Sequence, residues 1–120
     1  MTPAQIVNVS RNVIIAADAR CAETPRERRR GLIGRQSMER GEALVIARCR
    51  QVHTFGMRFN IDVAFVGRDS IVVRACNGLR PRRFSPVTWR ACDAIEFPAG
   101  TLSLTGTKPG DSLRITTVEA

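Results

Sequence analysis

The chain has 120 residues, 43% of them apolar and 25% charged. That balance is ordinary for a globular protein that buries a core without metal or disulfide staples, and one domain is expected over residues 1–120, with its core at 12–118. The formal charge of +8 is carried almost entirely by arginine, and no apolar run approaches the roughly 20 residues of a membrane-spanning helix.

The first twenty residues lack a basic start, an apolar stretch and a small-residue cleavage site, so the expected location is cytoplasmic. Asn12 to Ala19 reads as the first strand. Thr24-Pro25-Arg26-Glu27 is a helix start: Thr24 caps, Pro25 suits the first helical position and Glu27 completes a capping box. The helix is expected over about 24–33, with Gly34 as its C-cap and Arg26, Arg29 and Arg30 facing solvent or reaching acidic partners. Ser37 to Glu42 is a polar connection, and Ala43 to Ala47 is a buried strand by its unbroken apolar run.

Cys49 to Phe55 reads as a further strand and Ile61 to Val66 as the next. In the latter, Ile61, Val63 and Phe65 point one way and Asp62, Ala64 and Val66 the other. Both faces are apolar except for Asp62, so the strand is expected to be covered on both sides. A buried carboxylate needs a cation or several backbone N–H donors. Asp62 is therefore either a structural tie to an arginine or a turn, or a charge lining a pocket. Gly56 marks a bulge or a close backbone approach.

Gly67 to Ser70 is a turn and Ile71 to Cys76 returns, making residues 61–76 a β-hairpin. Asn77 to Pro86, with two prolines, a glycine and three arginines, has the composition of a mobile flap. Trp89 follows, as an anchor or as a ligand platform. Asp93 to Phe97 is a strand on which Ala94 and Glu96 share a face. Thr101 to Thr105 suits one helical turn, Lys108 to Asp111 a tight turn, and Ser112 to Val118 the last strand. The sum is an α+β, mainly β fold: a small, mostly antiparallel, partly closed sheet of about seven strands with one helix packed on it.

Four cysteines, Cys21, Cys49, Cys76 and Cys92, are widely spaced with no CxxC pair. Neither a zinc site nor a thioredoxin-type pair is expected, and no cofactor; buried thiols are the expected state, and spacing assigns no disulfide pairing. The arginines gather mainly at 26–40, 48–58 and 80–90. The first group has no aromatic, the second Phe55 and the third Phe84 and Trp89. A nucleic-acid partner is not expected from this pattern, and a solvated arginine surface is.

Three segments together resemble the DUF192 family, a bacterial and archaeal domain of uncharacterised function. Glu27 to Arg35, ERRRGLIGR, is similar to its E-R-x-x-G-L-M-G-R signature. His53 to Val66, HTFGMRFNIDVAFV, is similar to its F-W-M-x-x-x-x-I-P-L-D-I-x-F segment. Ile95 to Gly100, with Lys108 to Asp111, is similar to its L-E-L-x-A-G and G-D close. Here Gly56 stands for the family's Trp, Asn60 for its proline, and the stretch before Asp62 is about three residues shorter. The resemblance implies a β-rich fold with a helix and no established reaction, and many members are exported.

With one histidine, no G-x-S-x-G and no phosphate loop, few catalytic constellations are available. The leading expectation is a non-enzymatic binding or accessory domain. His53, Met57, Asp62 and Glu96 would converge with the 77–86 loop, and Trp89 beside them, on a pocket for a small ligand or peptide end, or for a protein partner. The alternative is an enzyme with His53 as base, Asp62 orienting it and a cysteine such as Cys49 as nucleophile. Residues four apart on one strand lie about 13 Å apart, so Cys49 would need a kink to meet His53. The third reading is an arginine-mediated nucleic-acid or acidic-partner binder.

Overall fold

The computed structural model describes residues 1–118. It contains seven strands: β1 Thr2–Asn8, β2 Val13–Ala22, β3 Glu42–Ile46, β4 Ile61–Val66, β5 Val72–Leu79, β6 Asp93–Pro98 and β7 Leu113–Thr117. They form one sheet in the order β5-β4-β6-β3-β2-β1-β7. Every neighbouring pair is antiparallel except β2 and β3. A parallel pair needs a crossover, and residues 23–41 supply it, carrying helix α1 (Pro25–Arg30).

The sheet curls until its outer strands approach. Val72 donates to the Asp111 carbonyl at 2.9 Å, Gly110 to the Val72 carbonyl at 2.8 Å, and Leu113 to the Ser70 carbonyl at 3.0 Å. The start of β5 thus meets the start of β7, and the barrel is half closed. One apolar cluster draws on all seven strands, including Ile6, Ile15, Val45, Val66, Ile95 and Phe97, with Leu102 of helix α2 (Thr101–Thr105). Side chains from every strand meet in this way only inside the curl. A second cluster covers the outer face, where Leu44, Ile46, Ile61, Val63 and Phe65 pack under Leu32, Val52 and Met57. Both faces of β4 are therefore buried throughout, as its sequence predicts.

Four expectations are corrected. The strand β1 is absent from the sequence reading because its inward face is Ala4, Ile6 and Asn8. Asn8 is fully buried and hydrogen-bonded, so the usual apolar alternation is broken by a satisfied polar group. Cys49 to Phe55 is not a sheet strand. Arg48 turns the chain with φ 52°, and the segment leaves the sheet to pair loosely with residues 83–88, with one bridge between His53 and Phe84.

That same pairing pins the segment 77–86 where a flap is expected. Thr54 donates to the Arg83 carbonyl at 2.9 Å, Ser85 to the Val52 carbonyl at 2.9 Å and Thr88 to the Arg50 carbonyl at 2.8 Å. The prolines and glycine fit a path held by side-chain and backbone bonds rather than a loose one.

The capping box forms as read. Thr24 Oγ1 accepts from the Glu27 amide at 3.1 Å and Glu27 Oε1 accepts from the Thr24 amide at 3.2 Å. The helix stops earlier than expected. Gly31 takes φ 49° and its amide bonds back to the Glu27 carbonyl, a positive φ that glycine adopts readily. The turn drives Leu32 into the second cluster, where it is buried.

Candidate functional site

Below the end of α1 the outer face of the sheet is incompletely covered. Gly31 and Leu32 roof one side of a cleft, Gln51 to His53 and Met57 wall the other, and Ile46 and Glu96 form its floor. The inner part has a volume of about 90 Å³, space for about three waters. It opens to a wider mouth bordered by Pro25, Arg28, Arg29, Arg48, Cys49 and His53. The strand register explains the floor. On β6, Glu96 pairs with Leu44 of β3 on one side and Val63 of β4 on the other. Its side chain leaves the sheet on the outer face, as does Ala94, while Ile95 and Phe97 enter the curl.

Glu96 is 3% exposed. Burial alone pushes its carboxyl up to about 7; no donor or cation of the described residues contributes. No fully enclosed side-chain nitrogen or oxygen among the described residues lacks a partner. The unpartnered Glu96 oxygens therefore open onto the cleft.

Cys49 sits between floor and mouth. Burial first, and then the Glu96 carboxyl, push its thiol up, while Arg28 pulls the other way. Its Sγ donates to the Gln51 carbonyl at 3.1 Å. Arg28 Nη1 reaches the Ala47 carbonyl at 3.5 Å, which holds the guanidinium over the opening. His53 is exposed at the rim. Its Nδ1 accepts from the Phe55 amide at 3.3 Å. Its ring packs with Phe55 and Phe84 at centroid distances of 5.9 and 6.3 Å. Gly56 takes φ 84°, and a Cβ there would stand 3.5 Å from Ile33, ordinary contact. Conformation rather than crowding explains the glycine, and the turn it makes sends Met57 inward.

The structure thus brings His53, Met57, Glu96 and Cys49 to one cleft and leaves Asp62 and Trp89 outside it. Asp62 pairs with Phe97 and points into the curl, opposite to Glu96. There Oδ1 accepts from the Gly78 amide at 2.9 Å, and Oδ2 from the Gly100 and Leu102 amides at 3.1 and 2.9 Å. It ties β5 to the turn that starts α2, so it does not orient His53. Trp89 is 76% exposed and borders no part of the cleft. The arginines of the mouth escape the sequence reading, which sends Arg29 to solvent or an acidic partner and gives Arg28 and Arg48 no role of their own. The signal was available for Arg28, which stands four residues before buried Leu32 and so on its side of the helical turn.

Among the described residues, no three His, Cys, Asp or Glu side chains are grouped to hold a metal ion. None of the helices is long and apolar enough to cross a membrane.

The three segments that carry the family resemblance, 27–35, 53–66 and 95–100, each supply residues to this one cleft. A family model described as an uncharacterized ACR, DUF192, matches residues 6–115. The chain belongs to the DUF192 family. Two solved structures share the fold of this DUF192 chain. One is a protein of unknown function from Novosphingobium aromaticivorans, with TM-score 0.80 and 21% identity, covering 93% of this chain and 83% of that one. The other is a Sinorhizobium meliloti protein provisionally described as a transcription regulator, with TM-score 0.78 and 20% identity, covering 95% and 92%. No curated protein matches.

Proposed function

We propose that this DUF192 domain is a non-enzymatic binding domain that holds a small ligand or a peptide end in the cleft above Glu96. The observation that carries the reading is the Glu96 carboxyl, buried, without a protein partner and open to the cleft. Burial has already removed most of the water from this carboxyl, so pairing with a ligand donor costs it little further hydration. The thiol-enzyme alternative has Cys49 and His53 in the same cleft, but no hydrogen bond joins them among the described residues. The thiol is spent on the Gln51 carbonyl and pushed away from the thiolate form.

Amide chemical-shift mapping against a library of small polar fragments tests the binding reading. Binders should shift residues 28–33, 49–57 and 96 together. A library that gives no binders, or binders that map to the opposite side of the sheet, refutes it.

Contact with nucleic acid has one observation in its favour: Phe84 and Trp89 are 63% and 76% exposed among the arginines of 80–90. It ranks lower because Phe84 and Phe55 pack tilted against each other at 5.2 Å instead of standing apart as separate platforms for successive bases. Oligonucleotide binding measured across salt decides it, since phosphate contacts weaken steeply as salt rises.

A further inference from the structure

The binding reading leaves the chemistry of the ligand open, and the two ends of the cleft specify it. At the floor stands a carboxyl with no donor. At the mouth stand Arg28, Arg29 and Arg48, guanidinium groups that carry charge at any ordinary pH. Arg28, Arg29 and Arg30 also border the inner cleft, and Cys49, between the two ends, responds to both Glu96 and Arg28. A ligand that satisfies the whole cleft therefore carries a hydrogen-bond donor inward and a negative charge outward. Between them it passes the apolar sides of Ile46, Val52 and Met57.

Resting on the cleft being a binding site, we propose that it takes a compact zwitterion, an amino acid with an ammonium group directed at Glu96 and a carboxylate among Arg28, Arg29 and Arg48. A simple anion uses only the mouth and leaves the floor carboxyl unpaired. A simple amine uses only the floor and must cross a ring of positive charge to reach it. The inner volume of about 90 Å³ admits an ammonium head and a few methylenes, not a bulky side chain. Glu96 is suited to the role because burial has already stripped it of water, and a cation placed beside it favours the carboxylate form.

Linear amino acids are the ruler for this site. The full chain is titrated at slightly alkaline pH and low salt with glycine, β-alanine, 4-aminobutyrate and 5-aminopentanoate, each beside the matching carboxylate without the amine and the amine without the carboxylate. One length should bind about ten-fold or more tighter than either monofunctional partner, the scale of one charge-assisted hydrogen bond. Glu96→Gln should reduce that zwitterion to the affinity of the plain carboxylate. Arg28→Gln with Arg29→Gln should reduce it to that of the plain amine. Amide spectra that match the parent show that each variant is folded.

Equal affinity for the plain carboxylate overturns the proposal and makes the mouth a simple anion site. Equal affinity for the plain amine overturns it in the other direction. Silence from all twelve probes overturns it too. In each case the cleft reading is judged separately by the fragment shifts: it stands if fragments still map to the cleft and falls with the proposal if they do not.

Discussion

Asp62 and Glu96 lie on adjacent strands one register step apart, and their carboxyls leave the sheet on opposite faces. The pairing sets Val63 against Glu96 and Asp62 against Phe97, so alternation alone sends one acid into the curl and the other out under α1. Both are buried, at 0% and 3% exposure. Asp62 accepts three backbone donors, whereas Glu96 has none among the described residues. One acid ties backbone segments together; the other makes no such tie among the described residues.

Asp62→Asn should therefore be costly although it changes few atoms. Oδ1 serves Gly78 and Oδ2 serves Gly100 and Leu102. An amide nitrogen placed on either side faces donors with another donor. The expected loss is about 3 kcal/mol, from bonds to a charged group of about 1.5–3 kcal/mol each, read as a lower midpoint in urea unfolding. A loss under about 0.5 kcal/mol, the scale of ordinary surface changes, would mean that Asp62 is not the tie described.

Glu96 predicts a stability that falls as pH rises. Its folded value of about 7 lies above the ordinary 4.5. Below 4.5 both folded and unfolded chains hold the proton, and the contribution is complete. Between 4.5 and 7 the unfolded chain releases it first, so stability declines, and above 7 the loss is constant. The shift corresponds to about 3 kcal/mol at most. Glu96→Gln removes this slope. The variant should match the parent near pH 4.5 and exceed it near pH 8, and parallel profiles at the two ends would contradict the assigned burial of a free carboxyl.

Much of the sheet is legible in the sequence because β3 is a short unbroken apolar run and β4 and β6 are apolar runs interrupted by a single acid each, Asp62 and Glu96, between turn residues, and both faces of β4 are indeed covered. What misleads is polar chemistry inside the fold. Asn8 hides β1, and the proline-rich 77–86 composition suggests looseness where Thr54 and Ser85 supply bonds. The site is half legible. His53, Met57 and Glu96 stand out as scarce or misplaced residues, and the cleft does gather them. Asp62 stands out for the same reason but serves backbone amides on the other face. Arg29 is indistinguishable from a solvated arginine run, whereas Arg28 is marked by its spacing to Leu32.

Thr54 is the residue on which the pinned loop depends. It is fully buried. Its hydroxyl donates to the Arg80 carbonyl at 2.5 Å and accepts from the Arg83 amide at 2.9 Å. Thr54→Val keeps the shape and removes these bonds, together with a longer one from the hydroxyl to the Arg83 carbonyl at 3.3 Å, with an expected loss of about 2 kcal/mol. Hydrogen exchange should accelerate at 80–88 while β4 and β6 keep their protection. Uniform acceleration would point to global destabilisation instead of a released loop.

Asn8 predicts the opposite limb of the pH profile. Its Nδ2 donates to Thr107 Oγ1 at 3.1 Å and to Asp111 Oδ2 at 3.0 Å, and Arg11 Nε reaches the same Asp111 oxygen at 2.7 Å. Desolvation acts to raise Asp111, but Arg11, Asn8 and the Lys108 amide outweigh it and hold the carboxyl below the usual carboxylate range. A lowered acid stabilises above its unfolded value, and the contribution is lost as pH falls through the folded one. Glu96 is protonated in both states there and adds no slope. Glu27, held at about 2 first by the Thr24 amide and then by that of Glu23, and Glu42, lowered by the Glu39 amide and Arg35 against its desolvation, share the acid limb. The difference between parent and variant therefore isolates Asp111. Asn8→Ala should cost about 2 kcal/mol at neutral pH. It should also move the acid-unfolding midpoint to higher pH, because Asp111 loses a donor and protonates earlier. The turn that carries Asp111 is where β7 meets β5, so exchange at Val72 and Leu113 should rise with it. An unchanged acid midpoint would separate Asn8 from Asp111 and leave the closure of the sheet to the backbone bonds alone.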